Sequence, residues 1–112
     1  APTARHARVA GAFIDWGIPT AVSVQYCREA APALPVFASG GIGNGIDVAK
    51  CIALGANLVG LAGQFLKAAD KDGVAGVVEL AEILTDELRI SMFCAGAGNL
   101  EALSKTPLHT QF

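Results

Sequence analysis

The sequence predicts an α/β fold in which two short parallel strands alternate with helices. Two short apolar runs, residues 34–38 and 58–62, lack polar alternation, which is typical of parallel strands buried on both faces. Helical patterns follow both runs, and strands that alternate with helices form βαβ units with parallel pairing. Because two strands do not make a stable sheet alone, we expect the chain to be part of a larger domain.

The first half of the chain predicts one clear helix before the first strand. Residues 1–8 are polar and basic and could begin a helix. Pro19 suits the first turn of the next helix, where its missing N–H is not needed. The apolar pattern then extends to about Ala31, and Pro32 and Pro35 stop the helix.

The second half predicts three further helical regions. An apolar stripe over residues 46–54 predicts a helix, with Gly55 as its C-cap. After the second strand, the pattern predicts a short helix over residues 64–69, a polar turn over 70–73 and a long helix over 74–92. A loop over residues 94–98 follows, and Asn99 is predicted to cap a last short helix over 100–104.

Composition excludes several classes of protein. The 112 residues amount to one domain or less, and 53% of them are hydrophobic, which is too apolar for a disordered chain. The net charge of −2 leaves no basic footprint for nucleic acid or anionic lipid. No apolar run reaches the length of a membrane span, and the first eight residues lack the apolar core of a signal peptide. Only 16% of residues are charged, so we expect oligomerisation or burial within a larger domain.

The cysteine and histidine residues predict no metal site. Cys27, Cys51 and Cys94 form no CxxC pair, and they are interpreted as reduced thiols buried as small hydrophobes in a cytoplasmic protein. The two histidines, His6 and His109, lie near opposite ends of the chain and form no HxxH spacing.

The strongest functional signal is the run Ser39-Gly40-Gly41-Ile42-Gly43 between a predicted strand and helix. Glycines there allow close backbone approach, and N–H groups at a helix start attract an anion such as phosphate. The alternative is a tight turn that binds nothing. A dinucleotide site is less well matched, because Ile46 stands where a third glycine is expected.

A second strand end favours the phosphate interpretation. Residues 61–64, Leu-Ala-Gly-Gln, again lead from a strand into a short helix. In a (β/α)₈ barrel, the loops after strands 7 and 8 and a short helix form a shared phosphate site. We therefore predict the C-terminal portion of such a barrel, with about its last two strands and their helices.

Several segments resemble type 2 isopentenyl diphosphate isomerases, which are flavin-dependent enzymes. The segments are Asp-Trp-Gly-Ile-Pro-Thr at 15–20, Ala-Ser-Gly-Gly-Ile at 38–42, Asn-Gly-Ile-Asp-Val-Ala-Lys at 44–50, Ala-Leu-Gly-Ala-Asn-Leu-Val-Gly-Leu-Ala-Gly at 53–63, and the region around Glu87-Leu88-Arg89. The glycine segments occur widely among FMN-dependent barrels. The 15–20 segment and the tail over residues 87–108 are more specific to the isomerases.

The resemblance implies that residues 1–112 are the C-terminal segment of one FMN-binding barrel domain. It places the FMN phosphate on Gly41, Ile42 and Gly43 and on Ala62 and Gly63, with Gly40 shaping the turn. The family usually has Arg where this chain has Gly43. The implied reaction interconverts isopentenyl and dimethylallyl diphosphate in the cytoplasm, in a homo-oligomer, with FMN, NADPH and Mg²⁺. No catalytic residue or metal ligand is expected here, since the family carries them in earlier strands.

Two other functions are open. One is a different FMN-binding barrel oxidoreductase, such as a 2-hydroxyacid oxidase. Its usual His-x-Gly-x-x-Gln-x-x-Arg run is absent between Asp15 and Leu34. The other is a non-catalytic barrel fragment that only buries surface against a partner. Asp47 and Glu87 are interpreted as solvent-facing charges. Lys67, the one cation near the second loop, could steer a phosphate, but a solvent-facing lysine is the commoner outcome.

Overall fold

A computed structural model describes residues 3–109. Helix α1 (Ala4–Ala12) and helix α2 (Thr20–Ala30) precede strand β1 (Phe37–Ser39). Helix α3 (Gly45–Leu54) connects β1 to strand β2 (Leu58–Gly60). Helix α4 (Ala62–Ala95) and helix α5 (Leu100–Ser104) complete the chain. The predicted order is confirmed from α2 onward, and α1 is a further helix in a segment that the sequence pattern had left open.

The two strands form a parallel pair in which Phe37 lies beside Leu58 and Ser39 beside Gly60. Both strands are shorter than predicted, and β2 ends at Gly60 because helix α4 already begins at Ala62. The prediction that both faces are buried is wrong for the described residues. Ala38 is 2% exposed, whereas Phe37 and Leu58 are 69% and 57% exposed. Helices cover one face of the pair, and the described residues place nothing over the other.

The core lies between the sheet and helices α2, α3 and α4. One cluster joins α2 and the strands to α3, and the other joins α3 to α4 and α5. The buried members of the first are Val24, Val36, Ala38, Ile42, Cys51 and Ala56. Those of the second are Ala49, Ile52, Ala97 and Leu103. Helix α3 takes part in both clusters, so the helix between the strands organises this core.

Helix α4 differs from its predicted boundaries. Two helical segments join at Gly73, whose φ of 60° and ψ of −144° are not helical. The break is therefore one residue, not the four-residue turn predicted over 70–73. The second segment continues through Cys94, and Gly96 ends it in the left-handed conformation. A left-handed glycine is a common helix terminus, so the loop begins later than predicted.

Local capping signals were correctly predicted for two helices. The Asn99 side chain accepts a hydrogen bond from Ala102 N–H, so Asn99 is the N-cap of α5. Gly55 ends α3 with φ of 122°, a conformation that L-residues rarely adopt. Pro19, by contrast, is the N-cap residue of α2 and lies just before its first turn.

Arg28 joins the end of α2 to the segments that precede both strands. Its Nε and Nη2 donate to the Gly55 carbonyl at 2.9 and 2.8 Å. Nη2 also donates to Asn57 Oδ1, and Nη1 donates to the carbonyls of Pro32 and Leu34 at 3.1 and 2.8 Å. This network lies at the strand end opposite the glycine run, and so it has a structural role.

Replacing Arg28 with methionine is expected to lower the free energy of unfolding by about 2 kcal/mol, because the charged donor of two part-buried hydrogen bonds to Gly55 O and of further exposed ones is lost. Urea denaturation followed by circular dichroism measures the change. Lys105→Met is the control, since its single ion pair to Glu101 is exposed and is worth less than about 0.5 kcal/mol. An Arg28→Met protein as stable as the control would contradict this role.

Candidate phosphate site

The two predicted loops meet at a cavity of about 260 Å³ at the C-terminal end of the strand pair. The register of the strands explains this, because Ser39 and Gly60 are paired and the chain leaves the sheet after both. The lining residues are Ser39, Gly40, Gly41, Ile42, Gly60, Leu61, Ala62, Gly63, Gln64 and Lys67. Five of the six predicted contacts, all except Gly43, therefore line one cavity.

The glycine run turns sharply through two left-handed residues. Gly40 and Gly41 have φ values of 105° and 71°, which L side chains rarely adopt. Thr20, the first residue of α2, donates through Oγ1 to the Gly40 carbonyl at 2.8 Å and to the Ser39 carbonyl at 3.3 Å. A Cβ at Gly40 would approach this hydroxyl at 3.0 Å. The turn thus requires glycine both for its backbone and for its contact with Thr20.

The start of helix α3 is already occupied by side chains of this chain. Asn44 Oδ1 accepts from Asp47 N–H, and Asp47 Oδ2 accepts from Gly43 N–H, each at 2.9 Å. Glu87 Oε1 accepts from Gly45 N–H at 3.0 Å. Asp47 and Glu87 are half-buried acceptors, so the interpretation of both as solvent-facing charges is wrong. The N–H of Gly43 is engaged, and Gly43 lies beside the cavity lining.

The start of helix α4 is different. Its N-cap residue, Leu61, provides no side-chain cap. The first N–H groups of a helix have no intrahelical partner, and the helix dipole adds positive potential there. Gly63 lies in this first turn, and a Cβ added to it would meet nothing within 4 Å. Of the two helix starts beside the cavity, α4 is therefore the one suited to an anion.

The charge of the lining also suits an anion. Lys67 is its one ionisable side chain among the described residues, and it is exposed. A second cavity, of about 390 Å³, shares Gly40, Gly41 and Ile42, and its lining includes both Asp47 and Lys50, so charge alone does not separate the two cavities. Only the smaller of the two contains residues from the start of α4. The smaller cavity is therefore the better phosphate site, and the residues present fit the phosphate of FMN.

Gln64 is the residue of this site that the sequence interpretation missed. Its Nε2 donates to the Ile42 carbonyl at 3.0 Å and to the Gly43 carbonyl at 2.9 Å, so it joins the two loops. Its position could have indicated a role in the site, because Gln64 is a polar residue immediately after the small residues that follow the second strand. Its partners lie 22 and 21 residues away, and only folding brings them together.

The cysteines differ from their predicted burial. Cys51 is buried, whereas Cys27 and Cys94 are exposed, and all three are free thiols. Burial, with a smaller contribution from the nearby Asp47 carboxylate, raises the pKa of the Cys51 thiol. The raised pKa contributes stability below the pKa of the unfolded thiol, and this contribution is lost as the pH rises through the folded pKa.

At pH 8, we expect a maleimide reagent to modify Cys51 at least about 10-fold more slowly than Cys27 and Cys94, because the thiolate is the reactive form and burial limits access. Peptide mass spectrometry after timed quenching measures the three rates. Modification in urea is the control, since unfolding should equalise them. Equal rates in the folded protein would contradict the burial of Cys51.

Neither a metal-binding cluster nor a membrane-spanning helix is present in residues 3–109. No group of three or more His, Cys, Asp or Glu side chains in that range is arranged to hold a metal ion. No helix in the same range combines the length and apolar character needed to cross a membrane.

The fold and the cavity agree with one protein family. The model of the FMN-dependent dehydrogenase family matches residues 10–110. The chain belongs to this family.

Curated relatives make the likeness more specific. The chain is 53% identical over 108 residues to the isopentenyl-diphosphate delta-isomerase of Xanthobacter autotrophicus, covering 96% of this chain and 31% of that protein. It is 46% identical to the enzyme of the same name from Rickettsia felis, covering 90% of this chain and 29% of that protein. The predicted resemblance to the isomerases is confirmed. The chain spans about a third of the length of these relatives.

Solved structures resemble the fold as well. A mandelate oxidase mutant with a monooxide FMN adduct superposes with a TM-score of 0.77 at 31% identity, covering 82% of this chain and 30% of that one. Mandelate oxidase with (S)-2-phenylpropionate matches with the same TM-score and identity. The α/β class is therefore confirmed.

Proposed function

We propose that this chain supplies the FMN phosphate loops of an enzyme that isomerises isopentenyl diphosphate to dimethylallyl diphosphate. The observation that carries the proposal is the cavity where both glycine loops and the uncapped start of α4 converge. The isomerase names of relatives at 53% and 46% identity support this reaction. Mandelate oxidase, at 31% identity, gives weaker support to an oxidase.

The proposed phosphate contacts come from both loops. Gly41 and Ile42 donate their N–H groups from the first loop, and Gly40 allows the turn. Ala62 and Gly63 donate theirs from the first turn of α4, where the helix dipole favours a dianion. Lys67 adds a positive charge at the rim. Gly43, whose N–H is held by Asp47, contributes to the site by linking the turn to α3.

We infer that the chain forms about the last two strands and their helices of a (β/α)₈ barrel, as one segment of a single domain over 1–112. The uncovered sheet face that carries Phe37 and Leu58 supports this, since such a face would line a barrel interior. The bound flavin would supply proton-transfer chemistry without net redox change. This chain's residues bind and orient it and provide no catalytic side chain.

The remaining components of the proposal follow from the isomerase resemblance. They are NADPH to keep the flavin reduced, Mg²⁺ on the substrate diphosphate, a homo-oligomeric state and a cytoplasmic location. We place no Mg²⁺ ligand in this chain. No partnership with nucleic acid or a membrane is proposed.

The test combines binding and turnover with the purified protein. FMN fluorescence quenching measures binding, and conversion of isopentenyl diphosphate is measured anaerobically with FMN, NADPH and Mg²⁺. FMN binding without isomerisation is the expected result for residues 1–112, because they provide no catalytic side chain. Binding with isomerisation is expected of an enzyme in which this segment is joined to the rest of the barrel. FMN binding with oxidation of a 2-hydroxy acid and no isomerisation would instead support the oxidoreductase alternative. If the protein does not bind FMN, the result would support the alternative of a non-catalytic barrel fragment.

A further inference from the structure

The Gln64 amide is the direct polar link between the two loops of the cavity. Gln64 is half-buried in the first turn of α4 and lines the cavity. Its Nε2 carries two hydrogens, and the two acceptors at 3.0 and 2.9 Å, Ile42 O and Gly43 O, use both of them. The side chain therefore acts as a donor to the first loop from the second.

This link controls the charge that the first loop presents. Carbonyl oxygens carry partial negative charge, and those of Ile42 and Gly43 face Gln64, which is part of the cavity lining. Left unpaired, they would repel a phosphate in the cavity. The Gln64 amide satisfies both of them, so two N–H donors offset the partial negative charge of these carbonyls.

The same link orients the loop. In a planar trans peptide the carbonyl and the following N–H point in opposite directions. Gln64 holds the Ile42 carbonyl on one side, and Asp47 accepts the Gly43 N–H at 2.9 Å on the other. Hydrogen bonds therefore fix both the carbonyl and the N–H of the peptide between Ile42 and Gly43. Thr20 similarly holds the Gly40 carbonyl, so the Gly41 N–H is turned away from Thr20.

We propose that Gln64 is a positioning residue for the flavin phosphate, and that it gives the site preference for phosphorylated over unphosphorylated flavin. The inference rests on the proposed FMN function. If Gln64 only held the two loops together, its loss would lower the affinities for FMN and riboflavin by the same factor. Gln64 instead acts at the loop proposed to bind the phosphate, a group that FMN carries and riboflavin lacks. Its loss should therefore change the ratio of the affinities for FMN and riboflavin.

The experiment compares Gln64→Leu and Gln64→Glu with the unaltered protein, with dissociation constants for FMN and riboflavin measured by fluorescence titration. Gln64→Leu is expected to weaken FMN binding about 10-fold through the two unpaired carbonyls, and riboflavin binding less than about 2-fold. Gln64→Glu keeps the shape but replaces the donor with a charged acceptor, and its loss should be larger. The ³¹P resonance of bound FMN should shift in both variants.

Glu79→Leu is the control, because it removes an exposed polar side chain from the far half of the same helix, α4. It should change neither dissociation constant. Equal losses for FMN and riboflavin, or none, in the Gln64 variants would overturn the inference and leave the proposed function intact. Failure of both variants to fold beside a folded control would also overturn it, since the role would then be structural. An unaltered protein that binds neither flavin would refute the proposed function and this inference together.

Discussion

Replacing Gly63 with aspartate is expected to weaken FMN binding about 100-fold without lowering the midpoint of thermal unfolding. At an effective dielectric constant of about 20, two like charges about 6 Å apart repel by about 3 kcal/mol, which corresponds to this factor. The fold should accept the change, because an added Cβ meets nothing within 4 Å. An acidic residue in the first turn of a helix is stabilising by about 0.3–1 kcal/mol.

Fluorescence titration with FMN and differential scanning calorimetry measure the two effects. Gly63→Asn is the matched control, since it has nearly the same shape and no charge, and it should lose much less affinity than Gly63→Asp. If both variants lose equal affinity, the effect is steric and not electrostatic. If Gly63→Asp binds FMN normally, the phosphate does not lie at the start of α4.

Replacing Gly45 with alanine is expected to lower the free energy of unfolding by about 3 kcal/mol, at the upper end of the usual cost of overpacking. Gly45 is buried where α3 begins, against α4. An added Cβ would lie 2.6 Å from both Leu84 O and Leu88 N. These are backbone atoms of a helix and cannot move independently, so the two helices must separate.

Chemical denaturation measures this change, with Gly98→Ala as the control because its added Cβ would meet nothing within 4 Å. The control should retain the stability of the unaltered protein. Glu87→Gln addresses the hydrogen bond to Gly45 N–H separately, and it should cost about 1 kcal/mol, since the amide oxygen can still accept. A Gly45→Ala protein as stable as Gly98→Ala would contradict the close helix contact.

The predictions that held depend on neighbouring residues in the chain. Asn99 caps α5, Gly55 ends α3 and the strand order is as predicted, because capping, left-handed glycine and apolar periodicity are local properties. The same reasoning placed Gly40 and Gly41 in a turn, and both have positive φ. Helix boundaries were less accurate, as at Cys94, which lies in α4 although the loop was predicted to begin there.

The errors concern side chains whose partners are distant in the chain. Asp47 and Glu87 were interpreted as solvent-facing charges, but their carboxylates accept hydrogen bonds from backbone N–H groups at the start of α3. For Glu87 the partner is 42 residues away. Helical periodicity identifies the face of a helix on which a residue lies, and it does not reveal what packs against that face.

The sequence by itself determined the α/β class, the order of strands and helices and the two glycine-containing loops, because these arise from local backbone preferences and hydrophobic spacing. The tertiary structure decided which helix start remains open to an anion. Asn44, Asp47 and Glu87 occupy the start of α3, and the start of α4 has no side-chain cap. Only packing brings Gln64 to the carbonyls of the first loop, since hydrogen-bond partners so far apart in the chain meet only when the helices dock on the strands.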